Sequence, residues 1–269
     1  MYKTQTVNKV RRLLHILMFL PAIIGIAVAV RRTLVLARLM GSFNPPGMAG
    51  TAKNAPAFDD GFGRHPIITL IHILPGVLFM ILGPLQFMPG IRRRYRRFHR
   101  LSGRIYIIAG YIIGISALYM PFVLRPIGGL NEAAATTLFA ILFLVSLSKA
   151  WWHIAGHRSA ARRAIISRFR PWPSVTKACI FHVNPEAENI VHKQVALHRE
   201  WMIRAFSIGL AVGTIRPIVA LFFAFSGLSP QTFFGTAFWI GFTLQLLAAE
   251  IWINYSRTSI SPSFSQELF

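Results

Sequence analysis

The chain has 269 residues, of which 54% are hydrophobic and 14% are charged, and its formal net charge is +21. Soluble domains carry about 25% charged residues, and here the cations lie between long apolar runs, so the composition excludes an ordinary soluble domain and predicts an integral membrane protein without a nucleic-acid partner. The single cysteine, Cys179, excludes an intramolecular disulfide and a CxxC metal site.

Six apolar runs reach the length of about 20 residues that is needed to cross a bilayer. They cover residues 13–30, 66–89, 103–124, 134–154, 205–225 and 232–253. The first run has the flanks of a cleavable signal peptide, but its length and the Arg31-Arg32 pair behind it favour an uncleaved anchor. The predicted fold class is therefore all-α, an integral membrane bundle of about six transmembrane helices.

Lysine and arginine counts predict the orientation of these spans. The segment 91–104 holds seven of these cations and 157–204 holds nine, whereas the opposite connections near 125–133 and 226–231 hold one and none. Because cytoplasmic loops are enriched in lysine and arginine, both basic segments and both termini are expected in the cytoplasm. The membrane is expected to be a plasma membrane of bacterial type.

The chain is predicted to divide into an N-terminal membrane anchor (1–35), an extracytoplasmic loop (36–64), a polytopic helical domain (65–255) and a C-terminal tail (256–269). Within the polytopic domain, residues 158–197 are polar, contain three prolines and show no sustained periodicity. This segment is therefore predicted to be a cytoplasmic loop with little order.

The second span carries a polar and glycine-rich stripe. At helical spacing one face collects His72, Gly76, Gly83, Gln86 and Gly90. A histidine and an amide at membrane depth are not typical of a lipid-facing surface. The glycines would allow another backbone or a flat cofactor to approach closely.

The third span repeats this arrangement. One face collects His99, Gly103, Gly110, Gly114 and Ala117, with Tyr106 at its edge. The pair of glycines four residues apart is also a helix-packing motif. A packing surface and a cofactor slot are both consistent with this stripe.

The fifth span places a charge deep in the membrane. One face collects His198, Trp201, Ala205, Gly209, Val212 and Arg216. Arg216 lies near the outer end of this span, where a charge needs a partner or water. Glu250 is the acidic residue well inside a span, but its depth suits Arg204, Arg104 or Lys149 better than Arg216.

Four of the nine histidines are of functional interest. The predicted topology puts His99, His153 and His198 at one level near the cytoplasmic face, and it puts His72 in the outer half. His153 follows Trp151 and Trp152, which are typical of interfacial anchors. A haem held by two histidines needs both at one depth on facing helices, which only the cytoplasmic group offers.

Three interpretations of these residues compete. Histidines on facing helices would ligate haem iron, or the cytoplasmic histidines and Glu250 would bind a transition metal or relay protons. In the third interpretation, the phrases HR-x-x-G-R and HR-x-W-M-x-R clamp anionic headgroups. Their members are His99, Arg100 and Arg104, and His198, Arg199 and Arg204. The sequence has no Walker loop, GxGxxG, HExxH or GxSxG motif, so it leaves open whether the protein is an enzyme.

Several of these motifs together resemble a known family. They are His72, Gly83-Pro84-Leu85-Gln86-Phe87, His99-Arg100-Leu101-Ser102-Gly103-Arg104-Ile105-Tyr106, Trp151-Trp152, His198-Arg199-Glu200-Trp201-Met202-Ile203-Arg204 and Thr214-Ile215-Arg216. Over roughly residues 65–255, the combination resembles the bacterial membrane-protein family known as domain of unknown function 2306. The resemblance implies a multi-pass membrane fold rather than a reaction. The chain departs from the family pattern between about 164 and 192, where a short link is expected.

The functional hypothesis is a haem- or metal-binding redox membrane protein, whose cofactor the sequence does not identify and for which haem b is a candidate. The candidate metal ligands are His72, His99, His153 and His198. The other residues expected at the cofactor are Gln86, Arg100, Arg104, Tyr106, Arg199, Arg204 and Arg216. Under this hypothesis, replacing His99 and His198 with alanine abolishes the pigment.

The alternative hypothesis is a non-enzymatic transport or anionic-lipid-binding protein. In this case the two HR phrases hold an anionic headgroup or substrate, and Arg216 lines a path with Gln86. The expected partners are the bilayer, its anionic headgroups and a small molecule or an electron-transfer protein. This alternative predicts a colourless protein whose lipid binding weakens with salt.

Overall fold

The computed structural model describes residues 2–39, 65–166 and 185–258, and within them the regular structure is entirely helical. The helices are α1 (Tyr2–Leu39), α2 (Pro66–Phe87), α3 (Pro89–Arg94), α4 (Arg96–Val123), α5 (Gly129–Ile166), α6 (Pro185–Phe225) and α7 (Pro230–Thr258). The all-α prediction is confirmed. The expected extracytoplasmic loop beyond residue 39 and the tail beyond residue 258 lie outside the described residues.

Six of these helices are long and apolar enough to span a membrane, and α3 is the short exception. Their spanning segments are Phe19–Leu36, Pro66–Phe87, Arg96–Val123, Gly129–Gly156, His192–Phe225 and Pro230–Arg257. A bilayer offers no water to the backbone, so a helix, whose amide groups are satisfied internally, is the natural form of such a run. The prediction of six transmembrane helices is confirmed, and the orientation stays a prediction.

The predicted loop 158–197 was too long at both ends. Helix α5 continues to Ile166 and α6 begins at Pro185, so a shorter segment, 167–184, separates them and lies outside the described residues. These two extensions are polar, and they lack the apolar residues at helical spacing by which a helix is predicted from sequence. Proline at the first position and glutamates at 186 and 188 are nevertheless typical of a helix start.

Five of the spanning helices close into a ring. Helices α1, α2, α4, α5 and α6 pack each against the next, and α6 returns to α1, while α7 packs outside against α5 and α6. Successive spans run in opposite directions. We call the end that carries His99 and His198 the HR end, and the end that carries His72 and Arg216 the far end.

Aromatic side chains fill the middle of the ring. Phe79, Tyr106, Phe143 and Phe206 are all buried. Phe79 stacks on Tyr106 with ring centroids 4.2 Å apart and also meets Phe143 at 5.5 Å and Phe206 at 6.1 Å. This cluster, the aromatic centre, separates the two ends of the bundle.

Glycines make room for the aromatic centre. A Cβ added to Gly83 would lie 2.1 Å from the Phe206 ring, and one added to Gly209 would lie 2.4 Å from the Phe79 ring. On α4, Gly110 and Gly114 would meet leucines of α5 at 2.7 and 2.5 Å. Side chains of neighbouring helices therefore occupy these notches, which is the packing interpretation of the stripes rather than the flat-cofactor one.

Candidate functional site

At the HR end, Gln86 of α2 ties down the start of α4. With its amide turned so that each end meets a complementary group, its nitrogen donates to His99 Nδ1 at 3.0 Å, and its oxygen accepts from the Ser102 hydroxyl at 2.7 Å. A Cβ on Gly103 would lie 3.2 Å from the same amide, so this glycine permits the contact. The predicted stripe residues Gln86 and His99 are thus brought together, as neighbours in a helix–helix contact.

The other two histidines of the HR end contact different partners. His198 Nδ1 donates to the carbonyl oxygen of Ala150 at 2.8 Å, and His153 Nδ1 lies 2.7 Å from Gln194 Oε1. Both contacts join α5 to α6. Within the part of the chain that the structure describes, no three His, Cys, Asp or Glu side chains form a group that could hold a metal ion.

Two ion pairs fasten α6 to α7 at this end. Arg204 binds Glu250 in bidentate fashion, with Nε–Oε1 and Nη2–Oε2 distances of 2.6 and 3.0 Å. Arg257 binds Glu200 in the same way, with an Nε–Oε1 distance of 2.6 Å and a second hydrogen bond from Nη2 to Oε2. The depth argument preferred Arg204, Arg104 or Lys149 to Arg216 as the partner of Glu250, and the structure gives Glu250 the first of these. Such forked pairs fix the relative orientation of the two helices.

Trp201 lies between two cations. Lys149 Nζ lies 5.1 Å from the centroid of its ring and Arg204 Cζ lies 4.6 Å from it, distances typical of cation–π contacts. The phrase HR-x-W-M-x-R therefore supplies a buried acid, an aromatic platform and a paired arginine. In this fold, Trp201 and Arg204 hold α5, α6 and α7 together through their contacts with Lys149 and Glu250.

The arginines before the third span face outward. Arg100 and Arg104 are exposed, as are the neighbouring arginines at 92–94, 96 and 97. Arg100 Nε contacts only the carbonyl oxygen of Arg96, at 3.3 Å, among the hydrogen bonds described for it. This surface differs from Arg204 of α6, which is paired with Glu250, although the two phrases look alike in sequence.

The far end contains a cavity of about 460 Å³. Helices α1, α2, α4, α5, α6 and α7 all contribute to its wall, which is predominantly apolar. Its inner end reaches Phe79 and Phe143 of the aromatic centre. Gly76 also lines it, and a Cβ added there would meet no atom within 4 Å. Unlike the packed Gly83 of the same stripe, Gly76 faces open space.

Charged groups surround the far-end mouth of this cavity. Among the described residues that line it there are one glutamate, Glu132, and four arginines: Arg31, Arg32, Arg125 and Arg216. Counted along their helices at 1.5 Å per residue, Glu132, Arg32 and Arg216 lie about 5 to 14 Å from the far helix ends. The carboxylate of Glu132 accepts from the Gly128 N–H at 2.8 Å, so one of its oxygens is engaged at the start of α5.

His72 belongs to the same layer. It lines the cavity, and its Nδ1 lies 2.9 Å from the Ser116 hydroxyl on α4. It stands about 9 Å from the start of α2. Arg32 lines the cavity as well. A histidine, an acid and several arginines thus converge at one level beneath the mouth.

The predicted site residues are therefore divided between the two ends. His72 and Arg216 lie at the far-end cavity, and Gln86, His99, Arg100, Arg104, His153, His198, Arg199 and Arg204 lie at the HR end. Gln86, which contacts His99, is 14 residues beyond His72 on α2, so about 21 Å separates the two histidines along the axis. They cannot share one metal ion. Tyr106 lies between the ends, completely buried, and its hydroxyl has no hydrogen-bond partner among the described residues.

Several residues of the cavity were not singled out from the sequence as site residues. Arg31 and Arg32 were interpreted as flanks of an anchor, and Arg125 as a loop cation. Ser116 and Glu132 carried no signal, because a serine in an apolar run and an acid near a helix start are common. The informative feature was the charge that remains at the far ends of three spans, which apolar length alone does not require.

Residues 69–169 match the family model of predicted membrane proteins DUF2306. The matched segment includes most of α2, together with α3, α4 and α5, and it confirms the resemblance over these residues. No protein of curated function and no solved structure matches the chain. Together with the six spans, the family match makes this chain a multi-pass membrane protein.

Proposed function

We propose that this protein binds an anionic amphiphile in the far-end cavity, as a membrane carrier or receptor. The charged group would lie among the arginines of the mouth, and the hydrocarbon chain would extend toward the aromatic centre. The observation that carries the proposal is the combination, in one cavity, of apolar walls and four arginines.

The size and lining of the cavity suit a small ligand. Sites for small molecules typically measure about 300–1,000 Å³ and are lined mainly by apolar side chains with a few placed polar groups. The cavity of about 460 Å³ meets both criteria.

The arginines favour an anionic partner. Arg32 and Arg216 lie inside spanning segments, where a charge is costly and is usually associated with a ligand or an ion path. A guanidinium group matches a phosphate or a carboxylate with two parallel hydrogen bonds. Glu132 is the single acid among the described lining residues, so this part of the wall has an excess of positive charge.

The HR phrases support a different and weaker lipid interaction. Arg204 is paired with Glu250, so it does not favour a headgroup clamp in this fold. The exposed arginines around Arg100 and Arg104 would instead contact anionic headgroups of the adjacent leaflet. This contact would assist orientation in the membrane, and it is separate from the ligand in the cavity.

Haem b is a second candidate for the same cavity. The observation that favours it is His72 in a pocket that also holds arginines, because a haem needs one imidazole for its iron and cations for its two propionates. The ligand pair His99 and His198 of the sequence hypothesis gains no such support, since neither of them lines this cavity. A haem in this protein is therefore expected at His72.

The first test is a binding measurement with oleyl phosphate. Protein in a neutral detergent would be titrated and followed by native mass spectrometry. We expect one tightly bound molecule, no binding to Gly76→Leu, whose side chain fills the open space, and binding to Arg216→Gln weakened about ten-fold or more, in line with hydrogen bonds to charged groups.

Arg104→Gln is the matched control, because it removes an exposed arginine at the other end, and its affinity should stay within two-fold. Thermal unfolding of each variant would show that the fold is retained. If Gly76→Leu still binds one molecule of oleyl phosphate, the ligand lies outside the cavity. If wild type binds none, the proposal is overturned.

The absorption spectrum separates the two candidates. The protein would be expressed with a haem precursor, purified, and measured before and after addition of dithionite. If haem is bound, the single variant His72→Ala should lose the Soret band. The double variant His99→Ala/His198→Ala should keep it. A flat spectrum eliminates haem and leaves the amphiphile.

A further inference from the structure

From the His72–Ser116 contact, we infer that the ligand carries a hydroxyl group close to its anionic group, as in a single-chain glycerophosphate lipid. This inference rests on the proposed function and narrows its ligand class. It concerns a hydrogen bond to His72, which the charge of the mouth by itself does not require.

The first step is the proton of Ser116. Its hydroxyl oxygen lies 2.7 Å from the carbonyl oxygen of Ile112 and 2.9 Å from that of Ile113, both on its own helix. A serine in a helix commonly donates back to these carbonyls, and a hydroxyl has one proton and two lone pairs. The proton is therefore directed into α4, and a lone pair faces the imidazole.

The second step is the tautomer of His72. Because Ser116 accepts at 2.9 Å, Nδ1 of His72 is the protonated nitrogen. In a neutral imidazole the other nitrogen, Nε2, then carries a lone pair and accepts a hydrogen bond. His72 thus offers an acceptor to the cavity that it lines, in a layer otherwise rich in guanidinium donors.

The third step is the position of this acceptor. His72 lies about 9 Å from the far end of its helix, within the same 5 to 14 Å layer as Arg32 and Arg216. A ligand whose phosphate meets the arginines would therefore bring to His72 an atom within a few bonds of that phosphate. Since an acceptor that a bound ligand covers is costly to leave without a donor, a hydroxyl at this position is favoured over a methylene.

The test compares two matched lipids, 1-oleoyl lysophosphatidate and its 2-deoxy analogue, which lacks the glycerol hydroxyl. Binding to the protein in neutral detergent would be measured by native mass spectrometry. Wild type is expected to bind the hydroxylated lipid about three- to ten-fold more tightly, the range of one net hydrogen bond.

Two variants locate the preference. His72→Phe keeps the ring volume without the acceptor and should bind both lipids equally. Arg100→Gln at the HR end is the control and should keep the preference.

The outcomes distinguish this inference from the proposed function. Equal affinity of wild type for both lipids, or a preference that survives in His72→Phe, overturns the role of His72 and leaves the anionic site standing. If neither lipid binds wild type, the proposed function fails and the inference fails with it. A Soret band lost in His72→Ala would assign the same nitrogen to haem iron and would also overturn the inference.

Discussion

The two ends of this bundle use similar residues for different purposes. At the HR end, Arg204 and Arg257 are paired with glutamates, and histidines join one helix to the next. At the far end, arginines, a glutamate and a histidine surround a cavity of about 460 Å³. The type of a charged residue in a membrane bundle therefore does not by itself indicate whether the residue has a structural or a binding role. The ends differ in that the pairs described at the HR end join neighbouring helices, whereas the far-end groups line a shared cavity.

The same contrast applies to the glycines of one helix. On α2, Gly83 receives the ring of Phe206, whereas Gly76 faces the cavity. Gly83 is needed because a larger side chain would clash with Phe206, whereas Gly76 leaves part of the cavity open. Both nevertheless belong to a single stripe in the sequence. The distinction can be measured with identical substitutions at the two positions.

The largest expected effect is that of Gly83→Ala. Its Cβ would lie 2.1 Å from the Phe206 ring, so side chains or a helix must shift, which typically costs about 1–3 kcal/mol. Gly76→Ala, with no atom within 4 Å, should change stability by less than about 1 kcal/mol. Thermal unfolding in detergent compares them. Equal melting temperatures would contradict the assignment of the two glycines, and Phe206→Leu should partly rescue Gly83→Ala.

The next effect is that of Glu250→Gln at the HR end. It removes the charge that Arg204 contacts through two hydrogen bonds. Because the Glu250 side chain is 40% exposed, we expect a loss of about 1–2 kcal/mol, below the roughly 3–5 kcal/mol of a fully buried pair. Binding of oleyl phosphate at the far end should be unchanged.

A double-mutant cycle with Arg204→Gln checks this prediction. If the pair fastens α6 to α7, the double variant is less destabilised than the sum of the single variants. Additive losses would show that the two side chains stabilise the protein independently. Weakened binding of oleyl phosphate in Glu250→Gln would show that the two ends are coupled.

The smallest effect on stability is expected for Arg100→Ser combined with Arg104→Ser. Both side chains are exposed, so the melting temperature should hardly change, in line with surface substitutions of about 0.5 kcal/mol or less. Native mass spectrometry should show fewer retained anionic lipids, with a difference that shrinks as salt is added. A large loss of stability would mean that these arginines have a structural role.

Much of the fold could be predicted because it depends on local properties. The length of an apolar run determines whether a helix can cross the bilayer, and six such runs are visible in the sequence. The depth of Arg204 and Glu250 follows from counting along their helices. The polar extensions of α5 and α6 were missed, because helices without an apolar face leave no period in the sequence.

The functional residues were harder to predict because their meaning depends on their neighbours. His72 and His99 look alike in a histidine-and-glycine stripe, yet about 21 Å separates them along the bundle axis. In the sequence, Arg31 and Arg32 resemble the charged flank of a membrane anchor. Only the packing of α1 in the ring shows that they line the cavity. The phrase HR-x-W-M-x-R looks like an anion clamp until Glu250 is seen beside Arg204.

The sequence by itself determined that this is an all-α, six-span membrane protein, because hydrophobic length and helical hydrogen bonding are properties of each segment alone. Only the tertiary structure decided which polar residues meet. The far-end cavity is built from six helices distant in the chain, and a space between helices depends on how they pack, which no single segment specifies.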